Sequence, residues 1–333
     1  MGRIPYFSIS ADGTPATDAF ASRLLSITIT DKAGGESDSV SIELDDKNGS
    51  IAMPREGAIL DVSIGYLDAG GLVRKGRFEV EEVSGSFTGE RKMTITGKAA
   101  GKPSLKQSKT RSWDDKTIKD IGSQIAGEHG LQPAIDDEIG AIKIRFESQS
   151  EESDLHFLSR IARKFDGLFA VKDGRLGMVK RGGGKSASGA TAPELSLTPA
   201  DILPGATYTL KPRNKYGKVK ATHSNRKDVK REEVEHTVNG DGPTHTLREP
   251  FENEAEAKAA AKAKGDQLKR GEGGVSVPIP GDPTLVAEGV LTLSECRDGV
   301  DGKWSVETVT DNMVFTAGEA SGYTTTIDAK KGA

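Results

Sequence analysis

Scattered histidines, paired carboxylates, one cysteine and a glycine-rich segment are the features of this chain that could carry out chemistry. The five histidines are His129, His156, His223, His236 and His245. No two of them have the i,i+4 spacing that places two ligands of one metal ion on a helix face. The single cysteine, Cys296, excludes an internal disulfide and a cysteine-based zinc site. We therefore predict structural roles for the histidines and no metal site.

The glycine-rich segment resembles the end of a phosphate-binding loop, because glycines precede Lys185 and Ser186. That loop also requires a glycine where this chain has Val179, and a helix after Ser186. Small residues and Pro193 follow instead, which is typical of a linker. We therefore predict no nucleotide or other cofactor, and a flexible linker over residues 182–194 that is mobile before assembly.

Two acidic pairs, Asp136–Asp137 and Glu151–Glu152, have the residue type that glycosidases use for proton transfer and nucleophilic attack. Solvated surface carboxylates are the more common role of such pairs, and a sequence does not show whether two pairs converge. The Gly-x-Ser-x-Gly motif of a nucleophile elbow does not occur. We predict no catalytic residues and no enzymatic activity.

Composition favours several small domains. The chain has 333 residues, of which 35% are hydrophobic and 29% charged, and it contains 40 glycines. This length favours two to four folding units. The net charge of −4 gives no general attraction to nucleic acid. The N-terminal residues lack a signal-peptide pattern, and no apolar run has the length of a membrane span.

The middle of the chain contains two amphipathic helices. We predict that residues 105–181 form an α/β unit around them. The first helix ends at Gly130, and its apolar face comprises Ile118, Ile121, Gly122, Ile125 and Ala126. The second begins after the N-cap Ser153 and ends at Gly167. Its predicted apolar face comprises Leu155, Leu158, Ile161, Ala162 and Phe165. Asp173–Gly174 then predicts a tight hairpin.

Alternating apolar residues predict β-structure on both sides of this unit. Residues 1–104 contain five or six such stretches separated by turn residues, which favours a small barrel or sandwich. β signals resume after the linker, so we predict a second β-barrel over residues 195–333 that includes a helix at 253–270 with Asn253 as its N-cap. The chain is thus predicted to be mainly β, with two similar small β-barrels that flank a helix-containing α/β domain.

A short repeat supports this duplication. The octet Gly76–Val83 aligns with Gly302–Val309, with identical residues at four positions and Phe78 matched by Trp304. Each octet follows a strand that opens with glycine and precedes an alternating strand. We predict that Trp304 and Phe78 occupy equivalent core positions.

A basic stretch at residues 211–231 is followed at once by acidic residues. Proteins that bind single-stranded nucleic acid interleave aromatic residues with basic ones, and Tyr216 is the only aromatic residue here. We interpret the stretch as a charged hairpin at the rim of a protein–protein contact.

Two motifs resemble the late control protein D family, the baseplate hubs of contractile phage tails, which are related to the base of type VI secretion spike proteins. One runs from Glu152 through Phe157 and Arg160 to Asp166–Gly167, and the other from Lys109 through Trp113 to His129–Gly130–Leu131. The resemblance implies two β-barrels around an α/β insertion. It also implies a non-enzymatic subunit of the virion tail baseplate, synthesised in the host cytoplasm.

The resemblance further implies a symmetric ring on the tail axis between the tube and the central spike. Because the chain carries a repeat, we predict that this ring is a homotrimer that adapts a sixfold tail tube to a threefold central spike. Its partners would be the spike protein, tail-tube-proximal proteins and baseplate wedge proteins, while DNA would pass through the lumen without specific binding.

Two alternatives stay open at this point. The segment from Thr117 to Leu131 is also similar to the first helix of lysin-motif domains, which would make the chain a peptidoglycan-binding module. A tail-associated wall hydrolase is the other, although no spare segment has the length of a lytic domain.

Overall fold

The first hundred residues form strands, as their alternation predicts. The computed structural model describes residues 3–34, 37–68, 70–172, 174–182, 191, 193–211, 215–225, 230–316 and 319–332. The elements of the first part are β1 (Pro5–Ala11), β2 (Thr14–Pro15), α1 (Thr17–Ala21), β3 (Leu24–Lys32), β4 (Ser39–Asp45), β5 (Ile59–Tyr66), β6 (Gly71–Gly85) and β7 (Lys92–Ala99). Inward-facing Ile27, Ile42, Leu60 and Ile95 are fully buried, which places the core on one face of these strands.

The α/β unit follows a 3₁₀ turn at Pro103–Lys106. Its elements are β8 (Ser108–Thr117), α2 (Ile118–Glu128), β9 (Gln132–Ile135), α3 (Asp137–Gly140), β10 (Lys143–Ser153), α4 (Asp154–Lys164), β11 (Gly167–Lys172) and β12 (Arg175–Lys180). Strands β8 and β10 pair with each other, and β12 lies between β11 and β9. We call residues 105–180 the insertion.

The remaining elements return to β-structure around one long helix. They are β13 (Glu194–Leu197), a 3₁₀ turn (Pro199–Asp201), β14 (Thr207–Leu210), β15 (Lys218–Asn225), β16 (Lys230–Thr237), β17 (Thr244–Thr246), α5 (Glu254–Arg270), β18 (Gly273–Pro280), β19 (Val290–Leu293), β20 (Gly302–Thr316) and β21 (Glu319–Lys331). The mainly β prediction is therefore confirmed.

One continuous sheet connects the two ends of the chain. Its strand order is β14-β18-β21-β20-β3-β4-β7-β6-β5-β1-β2, and β19 pairs with β20 and β13. We call β1 and β3–β7 the first module, and β13, β14 and β18–β21 the second module. Among the described residues no strand pairing closes either module into a barrel, so the predicted barrels are present as open segments of a shared sheet.

The predicted face of the first amphipathic helix is confirmed. α2 begins after the N-cap Thr117, whose hydroxyl accepts a hydrogen bond from the Asp120 N–H. Its buried residues are Ile118, Ile121, Gly122, Ile125 and Ala126. The helix ends at Glu128 with His129 as its C-cap, and Gly130 follows with a φ of +61°, the left-handed residue after the cap.

The second helix differs from its prediction in its buried face and in the position where it ends. Ser153 is the N-cap as predicted, but Leu155 is 36% exposed and Phe157 is fully buried in its place. The helix ends one residue earlier than predicted, with Asp166 at φ +54°. Gly167 instead begins β11, where a Cβ would lie 2.2 Å from Ile139 Cδ1. A Cβ at this position would displace the tip of the Ile139 side chain, and the left-handed backbone conformation falls on Asp166 and not on the glycine.

Helix α5 does not belong to the core of the second module, contrary to the prediction. Its buried alanines, Ala257, Ala260 and Ala261, share a hydrophobic core with Phe157 and other residues of the insertion. Strands β15 and β16 complete this core through Val219, Ala221 and Val234. Helix α5 and its strands pack there because alanine side chains allow the helix to lie close to β15 and β16.

Most of the predicted linker, including Lys185 and Ser186, lies outside the described residues. None of the helices in the described ranges is both long enough and apolar enough to cross a membrane.

Candidate assembly interface

The two modules have the same strand order. The first runs β3-β4-β7-β6-β5-β1, and the second runs β14-β18-β21-β20-β19-β13. Position by position, β20 corresponds to β6, β14 to β3 and β18 to β4. Each chain therefore carries two copies of one six-stranded unit.

The registers of the two copies agree along three strands. Phe78 pairs with Leu60 on one side and Ala99 on the other, and Trp304 pairs in the same way with Leu291 and Lys331. Both aromatic side chains are 1% exposed, so the predicted equivalence of Phe78 and Trp304 is confirmed.

Irregular backbone positions also recur in both copies. The pairing of β6 with β7 shifts between Val80 and Glu82, and that of β20 with β21 shifts between Val306 and Thr308. Gly76 and Gly302, which open the two octets, have φ values of +145° and +118°. A β-bulge re-aims a strand and increases its twist. Because the bulge lies at the same octet position in each module, the two long strands bend at equivalent points.

Strands β20 and β3 join the modules within the chain. Thr310 lies opposite Thr30 and Asn312 opposite Thr28 in this antiparallel pair. The Thr28 hydroxyl donates a hydrogen bond to Asn312 Oδ1 at 3.2 Å. The far end of β20 also places Met313 and Phe315 in the hydrophobic core of the first module. The second module therefore completes both the sheet and the core of the first.

A buried ion pair reinforces this junction. Lys75 Nζ of the first module lies 2.7 Å from Asp311 Oδ2 of the second, and both side chains are at most 5% exposed. Tyr323 and Thr325 donate hydrogen bonds to the other carboxylate oxygen of Asp311. Lys75 also donates to the Pro283 carbonyl. These contacts satisfy a charge that burial would otherwise make costly.

Asp31 connects the first module to the other two parts of the molecule. Its Oδ1 is 2.8 Å from Lys172 Nζ of the insertion, and its Oδ2 accepts a hydrogen bond from the Ala287 N–H of the second module. Lys172 also lies 3.0 Å from Asp38. Burial, together with the nearby Asp31 charge, raises the pKa of Asp38 to about 6 despite the attraction of Lys172.

A charged cluster that the sequence did not predict lies in the insertion. Glu128, His129 and Asp154 bring ligand-type atoms within 4.8 Å of one another. Cationic side chains already occupy the carboxylates, because Lys109 Nζ and Arg111 Nη2 each lie 2.6 Å from an oxygen of Asp154. The cluster is therefore a charge-compensated network of ion pairs that links β8, α2 and α4. Its donor set leaves no reason to infer a bound cation.

A serine, a histidine and an aspartate of the same region lie within hydrogen-bond distance of one another in sequence, serine to histidine and histidine to aspartate. His129 Nδ1 lies 2.8 Å from Ser104 Oγ, and His129 Nε2 lies 2.8 Å from Asp154 Oδ2. Burial would raise the pKa of Asp154, but hydrogen bonds from His129, Lys109 and Gln149 outweigh it and lower that pKa to about 2. A carboxylate held by two cations is a weak partner for an imidazole that must accept a proton in catalysis.

The acidic pairs and histidines that the sequence singled out have local partners, and His156 Nδ1 lies 3.4 Å from Glu152 Oε1. Asp136 is the N-cap of α3, and Asp137 pairs with Lys119 at 3.0 Å. Glu152 is held by Arg160 at 2.9 Å, and Glu151 is exposed. His223 is buried, whereas His156 is exposed on α4. The acidic pairs therefore act as a helix cap and as partners of basic side chains.

The charged hairpin is present in the described part of the basic stretch. Strands β15 and β16 pair from Lys218 opposite Thr237 to Asn225 opposite Lys230. Lys218 and Lys220 lie 3.0 Å and 3.1 Å from carboxylate oxygens of the facing strand. The acidic residues of β16 thus neutralise part of the basic charge of β15.

This chain is similar in sequence to proteins of a known family. A family model for the phage tail baseplate hub matches residues 79–313. The chain is 28% identical to a probable baseplate hub protein of Escherichia phage 186, over 97% of this chain and 92% of that protein.

Two solved structures share the fold. The 43 kDa tail protein of prophage MuSo2 from Shewanella oneidensis matches with a TM-score of 0.68 and 14% identity, over 98% of both chains. An Escherichia coli component of the type VI secretion system, described as structurally similar to bacteriophage T4 tail proteins, matches with a TM-score of 0.55 and 13% identity. That match covers 93% of this chain and 74% of the other. On the extent of the family match, this chain belongs to the phage tail baseplate hub family and is a protein of the virion tail baseplate.

Proposed function

We propose that this protein forms a homotrimeric ring that adapts a sixfold tail tube to a threefold central spike. The observation that supports this is the duplicated module, with matching strand order, register and bulge. Three chains would present six similar modules around one axis, so a threefold ring would offer near-sixfold contacts to the tube.

The insertion supplies the threefold character. It occurs once per chain, and with helix α5 and strands β15–β17 it forms a separate hydrophobic core. Three copies would therefore project three equivalent bodies from the ring toward the spike or the surrounding wedge proteins. In this proposal residues 1–104 and 195–333 contain the tube-like modules, residues 182–194 link them to the insertion, and DNA passes through the lumen without being read.

The oligomeric state is the direct test. Mass photometry of the assembled hub is expected to give three chains, and the two modules of each chain should superpose by a rotation near 60° about the ring axis. A monomer or a hexamer of chains in the assembled hub would contradict the proposal.

The proposed role is also non-enzymatic. The groups nearest to a hydrolase arrangement are Ser104, His129 and Asp154. Zymography on peptidoglycan with the purified protein is expected to show no clearing, and Ser104→Ala is the matched control. Clearing by the wild-type protein that this substitution removes would identify a wall hydrolase instead.

A further inference from the structure

In the described part of the chain, each module has an unpaired edge that corresponds to one of the two partners in the intrachain junction. Within the chain, the edge of β3 pairs with the second half of β20. The strand that corresponds to β3 in the second module is β14, and within the described residues β14 pairs with β18 alone. The stretch that corresponds to the second half of β20 is Glu81–Gly85 of β6, which in the same part of the chain pairs only with β7. The chain therefore contains a second copy of each strand segment that forms the intrachain junction, but these second copies do not pair with each other in the described structure.

We infer that β14 of one subunit pairs antiparallel with the second half of β6 in the next subunit of the ring. This inference deepens the proposed trimer and relies on it for the number of chains. The intrachain junction determines the register, because β14 and β18 align with β3 and β4, and β6 and β7 align with β20 and β21. Thr30 opposite Thr310 becomes Thr209 opposite Ser84 of the neighbouring subunit.

Charge complementarity in this register supports the choice of a second copy as the partner. Lys32 lies opposite Thr308 within the chain. The corresponding residues between chains are Lys211 and Glu82, both of which are exposed. Opposite charges directly across an antiparallel pair stabilise it, whereas like charges would oppose it.

Side-chain exposure supports the same pairing. Phe87, two residues beyond the end of β6, is 88% exposed, and its counterpart in the second module, Met313, is fully buried in the core of the neighbouring module. Tyr208 on β14 is 46% exposed, and its counterpart Ile29 is 2% exposed. Each exposed residue thus corresponds to one that is buried in the core beside the intrachain junction. An exposed strand edge with apolar side chains is a site of pairing with another chain.

Head-to-tail pairing of this kind uses a different surface on each partner. It forms a closed ring when the rotation per subunit closes, and a filament when it does not. If the junction between chains repeats the one within the chain, three subunits give six equivalent junctions. The ring would then have no open edge at β14 or at the second half of β6.

A cysteine pair tests the register. The full-length chain carrying Cys296→Ser, Ser84→Cys and Thr209→Cys is assembled into tails and oxidised mildly. Directly opposed residues in an antiparallel pair have Cα atoms about 4.5–5.5 Å apart, within the range of a disulfide. We expect a reducible ladder on a denaturing gel that ends at three chains.

The matched control replaces Thr209→Cys by Tyr208→Cys, one residue away. A shift of one residue moves a side chain to the opposite face of a sheet, so this pair should cross-link at least tenfold less. Equal cross-linking of both pairs, or none in tails whose hub contains three chains, would overturn the interface and leave the trimer standing. A ladder that continues beyond three chains would instead contradict the proposed trimer.

A second pair of variants tests Phe87 without new cysteines. Phe87→Ser is expected to raise the concentration at which the purified trimer dissociates by at least tenfold, with an unchanged melting temperature of the monomer. Leu67→Ser, at a 65% exposed residue in the turn between β5 and β6, serves as the control and should leave association unchanged. Equal effects of the two substitutions would argue against insertion of Phe87 into a neighbouring subunit.

Discussion

The two modules share a framework but differ in what connects their strands. In the first module the chain passes from β3 to β4 through residues 33–38, whereas the equivalent step from β14 to β18 spans residues 211–272 and includes β15–β17 and α5. The outer strands differ as well, because β1 pairs antiparallel with β5 and β13 pairs parallel with β19. Both modules thus retain the same strand order and the same bulge. Their differences lie mainly in the connections between strands, where inserted residues disturb the sheet least.

This difference explains where the third core of the molecule comes from. The long connection of the second module packs on the insertion, and both together bury residues from Leu105 to Ala261. Lys164 of α4 contacts Glu256 of α5 at 2.9 Å, and Arg270 at the end of α5 donates to Asp166. Two segments far apart in the chain therefore form one body beside the modules.

The largest effect should come from the core aromatics that the modules have in common. Trp304→Ala removes a fully buried ring and its hydrogen bond to the Val300 carbonyl, and should lower the free energy of unfolding by roughly 3–5 kcal/mol. Phe78→Ala should cost a similar amount, and Trp304→Phe much less. Urea denaturation measures the free energy of unfolding of all three variants. A loss below about 1 kcal/mol for Trp304→Ala would contradict the equivalence of the two aromatic residues as core anchors.

The next effect tests an ion pair that has no counterpart in the other copy. Asp311→Asn leaves Lys75 buried without a negative partner and should destabilise the chain by about 2–3 kcal/mol. The residues at the corresponding positions are Gly85 and Asp301, so the pair is specific to the intrachain junction. The double variant Lys75→Met, Asp311→Leu should recover part of the loss; a double variant as unstable as Asp311→Asn alone would show that packing, and not the unpaired charge, carries the cost.

A smaller effect tests whether α5 belongs with the insertion. Ala261→Leu adds volume at a fully buried position and should destabilise by about 1–3 kcal/mol through overpacking. Hydrogen exchange should rise in α4 and β15 and stay unchanged in β3–β7. Ala255→Leu, at an exposed position of the same helix, is the control. Faster exchange confined to β18–β21 would instead show that α5 is coupled to the second module.

The smallest effect concerns pH and the short connection of the first module. The pKa of Asp38 is raised to about 6 in the folded state, above its ordinary value near 4. The folded state therefore binds more protons between those values, and the wild type loses stability relative to Asp38→Asn as pH rises from about 4 to about 6. Thermal melts of both proteins across this range measure the difference, and parallel curves would show that Asp38 titrates normally.

Local patterns predicted much of the fold but less of the interface. The buried face of α2, the N-caps Ser153 and Asn253, and the equivalence of Phe78 and Trp304 were all readable from spacing. The exposure of Leu155 was not, because it follows from the burial of Phe157, whose ring stacks on Trp113 of the sequence-distant strand β8. The cluster around Asp154 was missed because its partners are separated by 25 to 45 residues.

Sequence by itself determined the residues that repeat, since alternation, turn glycines and caps act between neighbours in the chain. The octets Gly76–Val83 and Gly302–Val309 marked the two copies before any strand pairing was known. Only the tertiary structure decided that β20 pairs with β3, that α5 packs on the insertion, and that β14 and the end of β6 each have one edge without a partner among the described residues. The physical reason is that strand pairing and core packing join residues that are distant in the chain, so they depend on the final arrangement of the whole molecule.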